Sequence, residues 1–557
     1  MKQKRSLQGA LLKKPDKFDT LILKGIRPYF WISLLCLIAY AQSIFFNFVY
    51  FDDNVLILDQ QYFIKDISNI FKAFERDVFG GFSTIYYRPI YTISLILNGV
   101  IGGTNPLIYH ITNLLLHMAV SFLLFHFLVK LKYEKFPALL IALIFSVLPV
   151  LTQTVVWIPG RNDLMLLLFI LFSFIFFLDY IKTRKISYFI LHSLFFCLAV
   201  FTKEIAVALP LILFFYLFVV KKEKLSLKEI ILCLITWVAI FSLWIVLRSL
   251  VLKNPIKLTL MAIIKSVFSG LPAIIQYIGK IFLPLNLAVL PTIQDTVYWY
   301  GIIAIMLLIT AIILVRKNRL RFVIFGMLWF FLFLLPSFIS PVSDATVYYR
   351  EDRLYIPVVG ILLILLESAP VNTVLSRRKL AIPVFSSLLI LFTAITIIHS
   401  TQFKDRIVFW ESAVKESPHA PLAHRNLGAM YYFKGRKNEA EAEYRKALEL
   451  NPAEPMAHSN LGAVYMDRNM LREAEAEFKA ELQINPNFDR ALYNLGFVNY
   501  KLQNFEEAIH YWKEAIQVND MKLDAYYGLI LAYQELKDEA KVQYYAEEYK
   551  KRGGKLN

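Results

Sequence analysis

The feature that most constrains this chain is the length of its apolar runs. They cover Phe30–Phe48 and then about 108–130, 137–157, 163–181, 187–204, 205–220, 229–250, 298–315, 321–340, 354–369 and 380–400. Each is close to the thickness of a bilayer core, and backbone groups in hydrocarbon must pair within their own segment, so each reads as a membrane helix. About eleven spans are expected. A mean hydropathy of +0.52 with 57% hydrophobic residues is too apolar for a soluble chain of 557 residues. Two stretches do not fit the pattern. Ile90–Val100 is too short to cross and is expected along the interface. The run Ile263–Leu290 is interrupted by Gly270, Pro272, Gly279 and Pro284 and is expected to be re-entrant or interfacial. If it crossed once, the basic cluster Arg316–Arg321 would land on the outer side, against the charge rule.

Charge sets the orientation. Residues 1–400 carry 38 Lys+Arg against 19 Asp+Glu, whereas residues 401–557 carry 22 against 24. The basicity therefore belongs to the apolar half, where it marks cytoplasmic loops; no nucleic-acid partner is expected. Lys2 to Arg27 places a basic N-terminus (1–28) in the cytoplasm, with no cleavable signal expected, and the loops at Lys130/Lys132/Lys135, Lys182/Arg184/Lys185 and Lys221/Lys222/Lys224/Lys228 fall on the same side. The first outer loop is then 49–107, and everything after Ser400 lies outside a cell membrane. Cys36, Cys197 and Cys233 sit within apolar runs, so neither disulfides nor a thiol metal site is expected.

Residues 401–557 are a different material. Leu427-Gly428 recurs at Leu461-Gly462 and Leu495-Gly496, Asn451-Pro452 at Asn485-Pro486, Ala440 at Ala474 and Ala508, and Tyr444 at Phe478 and Trp512, all 34 residues apart. This period resembles the tetratricopeptide repeat (TPR), in which small residues let paired helices approach and aromatics fill the space between repeats. Three clear repeats start near 421, 455 and 489; a degenerate fourth starts near 523, with Ile530 where Gly is expected. Trp410, Ala413 and Pro418 look like half of a truncated repeat.

Within 29–400, polar residues in apolar surroundings are the candidates for function. Asp52 and Asp53 stand together just past the first span; the alternative reading is an Asx turn ending the helix. His110, Asn113 and His117 share one helical face, but i,i+7 is roughly 10 Å of rise, too far for one ion, so helix contacts or substrate hydrogen bonds are expected and no metal. Asp163 follows Gly160-Arg161 at a helix head, as a cap or a site residue. Lys203 and Glu204 are adjacent and either neutralise each other or serve a site; Glu351, Arg353 and Tyr355 open a helix, as interface anchors or site residues. No nucleotide-binding loop or serine-hydrolase elbow is present, and no cofactor is expected.

The ordered set Phe51-Asp52-Asp53, Tyr87-Arg88-Pro89, Asn105 to Asn113 with His117, Trp157 to Asp163, Thr202-Lys203-Glu204 and Glu351 to Pro357, ending in TPRs, resembles the transmembrane-and-TPR-containing O-mannosyltransferases and their bacterial relatives. These are GT-C enzymes. The resemblance implies an all-α, GT-C-like polytopic catalytic domain at 29–400 and a TPR solenoid at 401–557. It implies transfer of a sugar, mannose among the options, from a polyprenyl-phosphate donor to a protein or glycan acceptor bound by the TPRs outside the membrane. Asp52 or Asp53 is then the general base. Arg88, Arg161, Lys203 and Arg353 are the expected partners of the leaving phosphate, because negative charge develops on its oxygens. A non-catalytic membrane-anchored scaffold and a lipid-linked-sugar ligase or transporter are the alternatives.

Overall fold

The computed structural model describes residues 21–80, 86–252, 259–339 and 348–555. Most of the basic segment assigned to 1–28, and residues 81–85 of the 49–107 loop, lie outside the described residues. Those described are helical with no strand, only two isolated bridges, and cluster into two compact units, Met1–Phe409 and Trp410–Asn557.

Among the described residues of the first unit, seven helical segments are long and apolar enough to cross a membrane: Arg27–Phe45, Pro106–Lys130, Ile158–Thr183, Glu204–Lys221, Leu227–Val251, Lys317–Phe338 and Arg378–Phe403. Two bent pairs raise the count to nine: Lys135–Val147 with Pro149–Val156, bent by 52°, and Leu260–Gly270 with Pro272–Phe282, bent by 40°. The bends fall at Pro149 and Pro272, because proline supplies no N–H and crowds the preceding turn. Three of the eleven expected spans, near 187–204, 298–315 and 354–369, are the shorter apolar helices Ile186–Thr202, Trp299–Ile313 and Val358–Glu367. Paired glycines draw Leu320–Leu334 and Val358–Glu367 together: a Cβ on Gly360 would stand 2.3 Å from the Gly326 carbonyl oxygen.

The 49–107 loop has a core of its own, in which Phe48, Leu56, Ile57, Ile64, Ala73 and Val78 pack against Tyr91, Leu95 and Ile96. The short expected segment Ile90–Val100 is the helix Pro89–Gly102, which starts at a proline and buries Tyr91, Leu95, Ile96 and Gly99. Gly99 lets it cross the backbone at Ile64, whose carbonyl oxygen would lie 2.4 Å from an added Cβ.

In the second unit, helix pairs Pro421–Phe433/Lys437–Leu450, Ala457–Asp467/Leu471–Ile484, Asp489–Lys501/Phe505–Val518 and Leu523–Glu535/Glu539–Lys551 follow one another. Each repeat glycine faces its own repeat's aromatic: Gly428 meets Tyr444, Gly462 meets Phe478 and Gly496 meets Trp512, with added Cβ atoms at 2.8, 2.9 and 2.5 Å. In the fourth repeat Ile530 is buried, and Gly528, two residues earlier, makes the close approach, 2.6 Å from Trp512.

Candidate active site

The turn after the first span separates the two neighbouring aspartates. Tyr50 and Asp52 adopt left-handed backbone angles, φ 59° and 69°, which cost non-glycine residues about 1–3 kcal/mol each. The Asp53 carboxylate offsets that strain by accepting from the N–H groups of Val49 (2.7 Å), Phe51 (3.0 Å) and Asn54 (3.0 Å), and it is 1% exposed. Asp53 therefore builds the turn. Burial pushes its carboxyl up to about 7, against the N–H groups of Val49 and Phe51. The same turn displays Asp52 into a cavity of about 340 Å³.

Among the described residues, eight charged side chains line that cavity: Asp52, Asp163, Glu204 and Asp352 with Arg88, Lys203, Arg350 and Arg353. Arg88 grips Glu204 with both Nε (3.1 Å) and Nη2 (2.6 Å). Lys203 Nζ lies 2.7 and 2.8 Å from the two Asp163 oxygens. Arg350 holds Asp352 through Nε (3.0 Å) and Nη2 (2.7 Å). Among the described residues Arg353 donates only to the Tyr348 carbonyl oxygen, at 3.5 Å. Aromatic rings brace this chemistry. Phe51 stacks on Trp157 at 5.3 Å, the Trp157 indole N–H donates to the Phe51 carbonyl (2.8 Å), and the Arg350 guanidinium lies 4.6 Å over the Trp157 ring.

The charges tune one another. Burial pushes Asp52 above the ordinary carboxylate range; Arg350 and Arg88 pull it back, and Asp352 pushes further up. Burial also presses Asp352 upward, but Arg350 overcomes this and holds it below its ordinary value. The arrangement can keep a base with raised affinity for protons beside cations that receive an anion.

Not every expected site residue reaches the cavity. Arg161 is wholly buried, and its guanidinium is taken by Asn113 Oδ1 (2.9 Å) and the carbonyls of Ser94 (3.2 Å) and Tyr109 (2.9 Å), so it holds helices together and does not face a phosphate. Asn113 also points Nδ2 at the carbonyls of Val155, Trp157 and Ile158. His117 Nε2 lies 3.1 Å from the Ser146 carbonyl, which fixes that nitrogen as the donor and leaves Nδ1 to accept from Tyr355 (2.8 Å). His110 is buried against Phe46. Glu351 turns away from the cavity onto Lys280 (2.6 Å), the Ala288 N–H (2.9 Å) and His399 (3.4 Å). Lys203 and Glu204 do not neutralise each other; each pairs with a residue far away in sequence. Nor does Asp163 cap its helix: Gly160 holds the N-cap position without a side-chain bond.

Sequence reasoning missed Arg350, Asp352, Tyr91, Trp157 and Asn162 as cavity residues. One signal was available for Arg350. It precedes the 3₁₀ turn Glu351–Leu354, and i,i+3 residues of such a turn eclipse, so it shares a side with Arg353.

Known proteins resemble parts of this chain. The family described as dolichyl-phosphate-mannose-protein mannosyltransferase matches residues 107–247, and TPR families match 428–469 and 489–520. The protein O-mannosyl-transferase TMTC2 of Mus musculus is 39% identical over 101 residues, 18% of this chain and 12% of that protein. The chain resembles the TPR-containing protein O-mannosyltransferases. TMTC3 of Mus musculus is 30% identical over 186 residues (32% of this chain, 18% of that protein), and TMTC4 of Homo sapiens 30% over 183 (28% and 24%). The chain thus aligns with less than a quarter of the length of these O-mannosyltransferase relatives. The crystal structure of MamA matches 26% of this chain and 86% of its own at 20% identity and a TM-score of 0.26.

Proposed function

We propose that the chain is a membrane glycosyltransferase of the GT-C type, moving a sugar from a polyprenyl-phosphate donor to a hydroxyl of a protein or glycan on the extracytoplasmic side. The sugar is mannose, by likeness to the relatives. The observation that carries this reading is Asp52, held by a strained turn in a cavity with four cationic side chains. Asp52 accepts the acceptor hydroxyl's proton as that oxygen bonds to the anomeric carbon. The bond from this carbon to the phosphate oxygen breaks, and its electron pair leaves with the polyprenyl phosphate. Arg353, Lys203 and Arg88 stabilise the charge that develops there. The TPRs hold the acceptor, since stacked helix pairs offer an extended surface.

Asp52→Asn and Asp53→Asn test the reading, using transfer from a radiolabelled polyprenyl-phosphate sugar in proteoliposomes. Asp52→Asn is expected to lower kcat by about 10²–10⁴-fold with an unchanged melting temperature. Asp53→Asn is expected chiefly to destabilise the turn, by about 1–3 kcal/mol. Full transfer by Asp52→Asn would end the assignment.

A further inference from the structure

Two neutral residues of the same cavity carry polar atoms that no described residue satisfies. Tyr91 is 2% exposed and Asn162 8% exposed, both line the cavity, and among the described residues the Tyr91 hydroxyl and Asn162 Oδ1 have no hydrogen-bond partner. Buried polar atoms are almost always paired, so an unpaired one beside a cavity asks for a ligand atom. The Asn162 amide is not misassigned: its Nδ2 donates to the Pro159 carbonyl at 2.8 Å, and a flipped amide would set two oxygens against each other. Oδ1 is therefore an acceptor in need of a donor.

Their neighbours define where they sit. Tyr91 lies three residues after Arg88, which holds the N-cap position of the same helix and lines the same cavity. Asn162 precedes Asp163, the partner of Lys203, in the first turn of Arg161–Thr183. Chemistry then divides the lining. A phosphate offers only acceptors, which the cations meet and which a bare amide oxygen repels. A hydroxyl both donates and accepts, and so matches Asn162 Oδ1 together with the Tyr91 phenol.

Resting on the transferase reading above, we infer that Tyr91 and Asn162 form a subsite for a hydroxyl of the donor sugar, and that they set which sugar the cavity takes. An unpartnered phenol can be removed without loss to the fold, which separates this role from a structural one.

The test is equilibrium binding of radiolabelled polyprenyl-phosphate mannose and its 2-, 3-, 4- and 6-deoxy analogues to the full-length protein in nanodiscs, for wild type and Tyr91→Phe, with a melting curve for each. Wild type is expected to bind one analogue about tenfold more weakly than the parent, the worth of one neutral hydrogen bond. Tyr91→Phe should bind the parent about tenfold more weakly, lose nothing further on that same analogue, and melt at or above the wild-type temperature. Asn162→Ala should lose discrimination at the same or an adjacent position. Wild type that binds the parent but treats all analogues alike overturns the subsite and leaves the transferase reading standing. The subsite is equally overturned if Tyr91→Phe melts lower and discriminates as wild type does. Wild type that binds none of the five overturns both.

Discussion

The two units hold themselves together by opposite means. In Trp410–Asn557 the recurring contact is shape: a glycine with no side chain admits an aromatic ring, as Gly496 and Gly528 admit Trp512 from two sides. In the first unit, the residues around the cavity are held by charge. Arg88 meets Glu204 and Lys203 meets Asp163 across 116 and 40 residues of sequence, and Lys280 meets Glu351 with both side chains wholly buried. Shape contacts degrade gradually when altered, because rings shift. A buried ion pair fails abruptly, because removing one partner strands the other charge without water. A functional cavity benefits from the second arrangement, since the charges that hold its walls also tune the groups that face it.

The largest expected effect follows from Lys280 and Glu351. Glu351 anchors the segment that carries Arg350 and Asp352 into the cavity, and the same segment is held by Gln153 Oε1, which accepts the N–H groups of Glu351 (3.0 Å) and Asp352 (3.3 Å). Glu351→Gln should destabilise the membrane unit by about 3–5 kcal/mol, measured by thermal unfolding in detergent. The double variant Lys280→Met/Glu351→Leu should recover much of that loss, because no orphan charge remains. If Glu351→Gln melts with the wild type, buried charge does not hold these walls.

The repeats offer the matching test. Gly496→Val places a branched side chain where even a Cβ would stand 2.5 Å from Trp512, and should cost about 1–3 kcal/mol as the ring is displaced. Gly435, at φ 76° with nothing within 4 Å of a Cβ, controls for backbone strain alone: Gly435→Ala should cost about 1 kcal/mol. Equal losses at both positions would mean that close approach is not what the repeat glycines provide.

The same contrast explains what the sequence disclosed. The 34-residue period, its recurring Gly, Ala and aromatic positions and the apolar runs are local or strictly repeated, so they could be read directly; that each repeat glycine admits its own repeat's ring could not. Asp52 was legible because an acidic pair beside a span is anomalous. Its separation from Asp53 was not, since it depends on which carboxylate folds back onto three N–H groups. The partners of Lys203, Glu204 and Asp163 were equally hidden: adjacency suggested that Lys203 and Glu204 pair, whereas tertiary packing sends each elsewhere. Arg161 looked like a phosphate ligand by residue type, and only the carbonyls of Ser94 and Tyr109 around it reveal a packing role. The apolar run at 354–369 holds the ten-residue helix Val358–Glu367, because hydropathy does not register where a helix ends.

A smaller effect tests whether the cavity charges act on Asp52. Burial raises this carboxyl and Asp352 adds to the rise, so the acid limb of kcat/KM should lie above the ordinary carboxylate value of about 4. Activity requires the ionised base and is lost as pH falls through that limb. Asp352→Asn removes a neighbouring negative charge and frees Arg350 toward Asp52, so the limb should move to lower pH. Arg350→Met removes an opposing cation and should move it upward. An acid limb that stays put in both variants would detach Asp52 from the charges around it.

The smallest effect lies in the repeats, where charge plays a minor part. His458 Nδ1 meets Glu477 at 2.6 Å while Nε2 faces the Pro452 carbonyl at 3.2 Å, and His424 repeats the arrangement 34 residues earlier with Glu443 and Pro418. With acceptors at both ring nitrogens of His458, its doubly protonated ring satisfies both contacts. The hydrogen bond to Glu477 lifts His458 above its ordinary value, with burial opposing. A raised folded-state value means that the imidazolium is favoured in the folded repeat. Its stabilisation is complete below the unfolded value of about 6.5 and is lost as pH rises through the folded one. The opening free energy of Ala457–Ile484, from hydrogen exchange corrected for intrinsic rates, should therefore decline from slightly acid to slightly basic pH. His458→Gln should flatten that decline while leaving the Gly462–Phe478 packing, and hence stability at basic pH, almost unchanged. A decline of the same size in the variant would place its origin outside this pair.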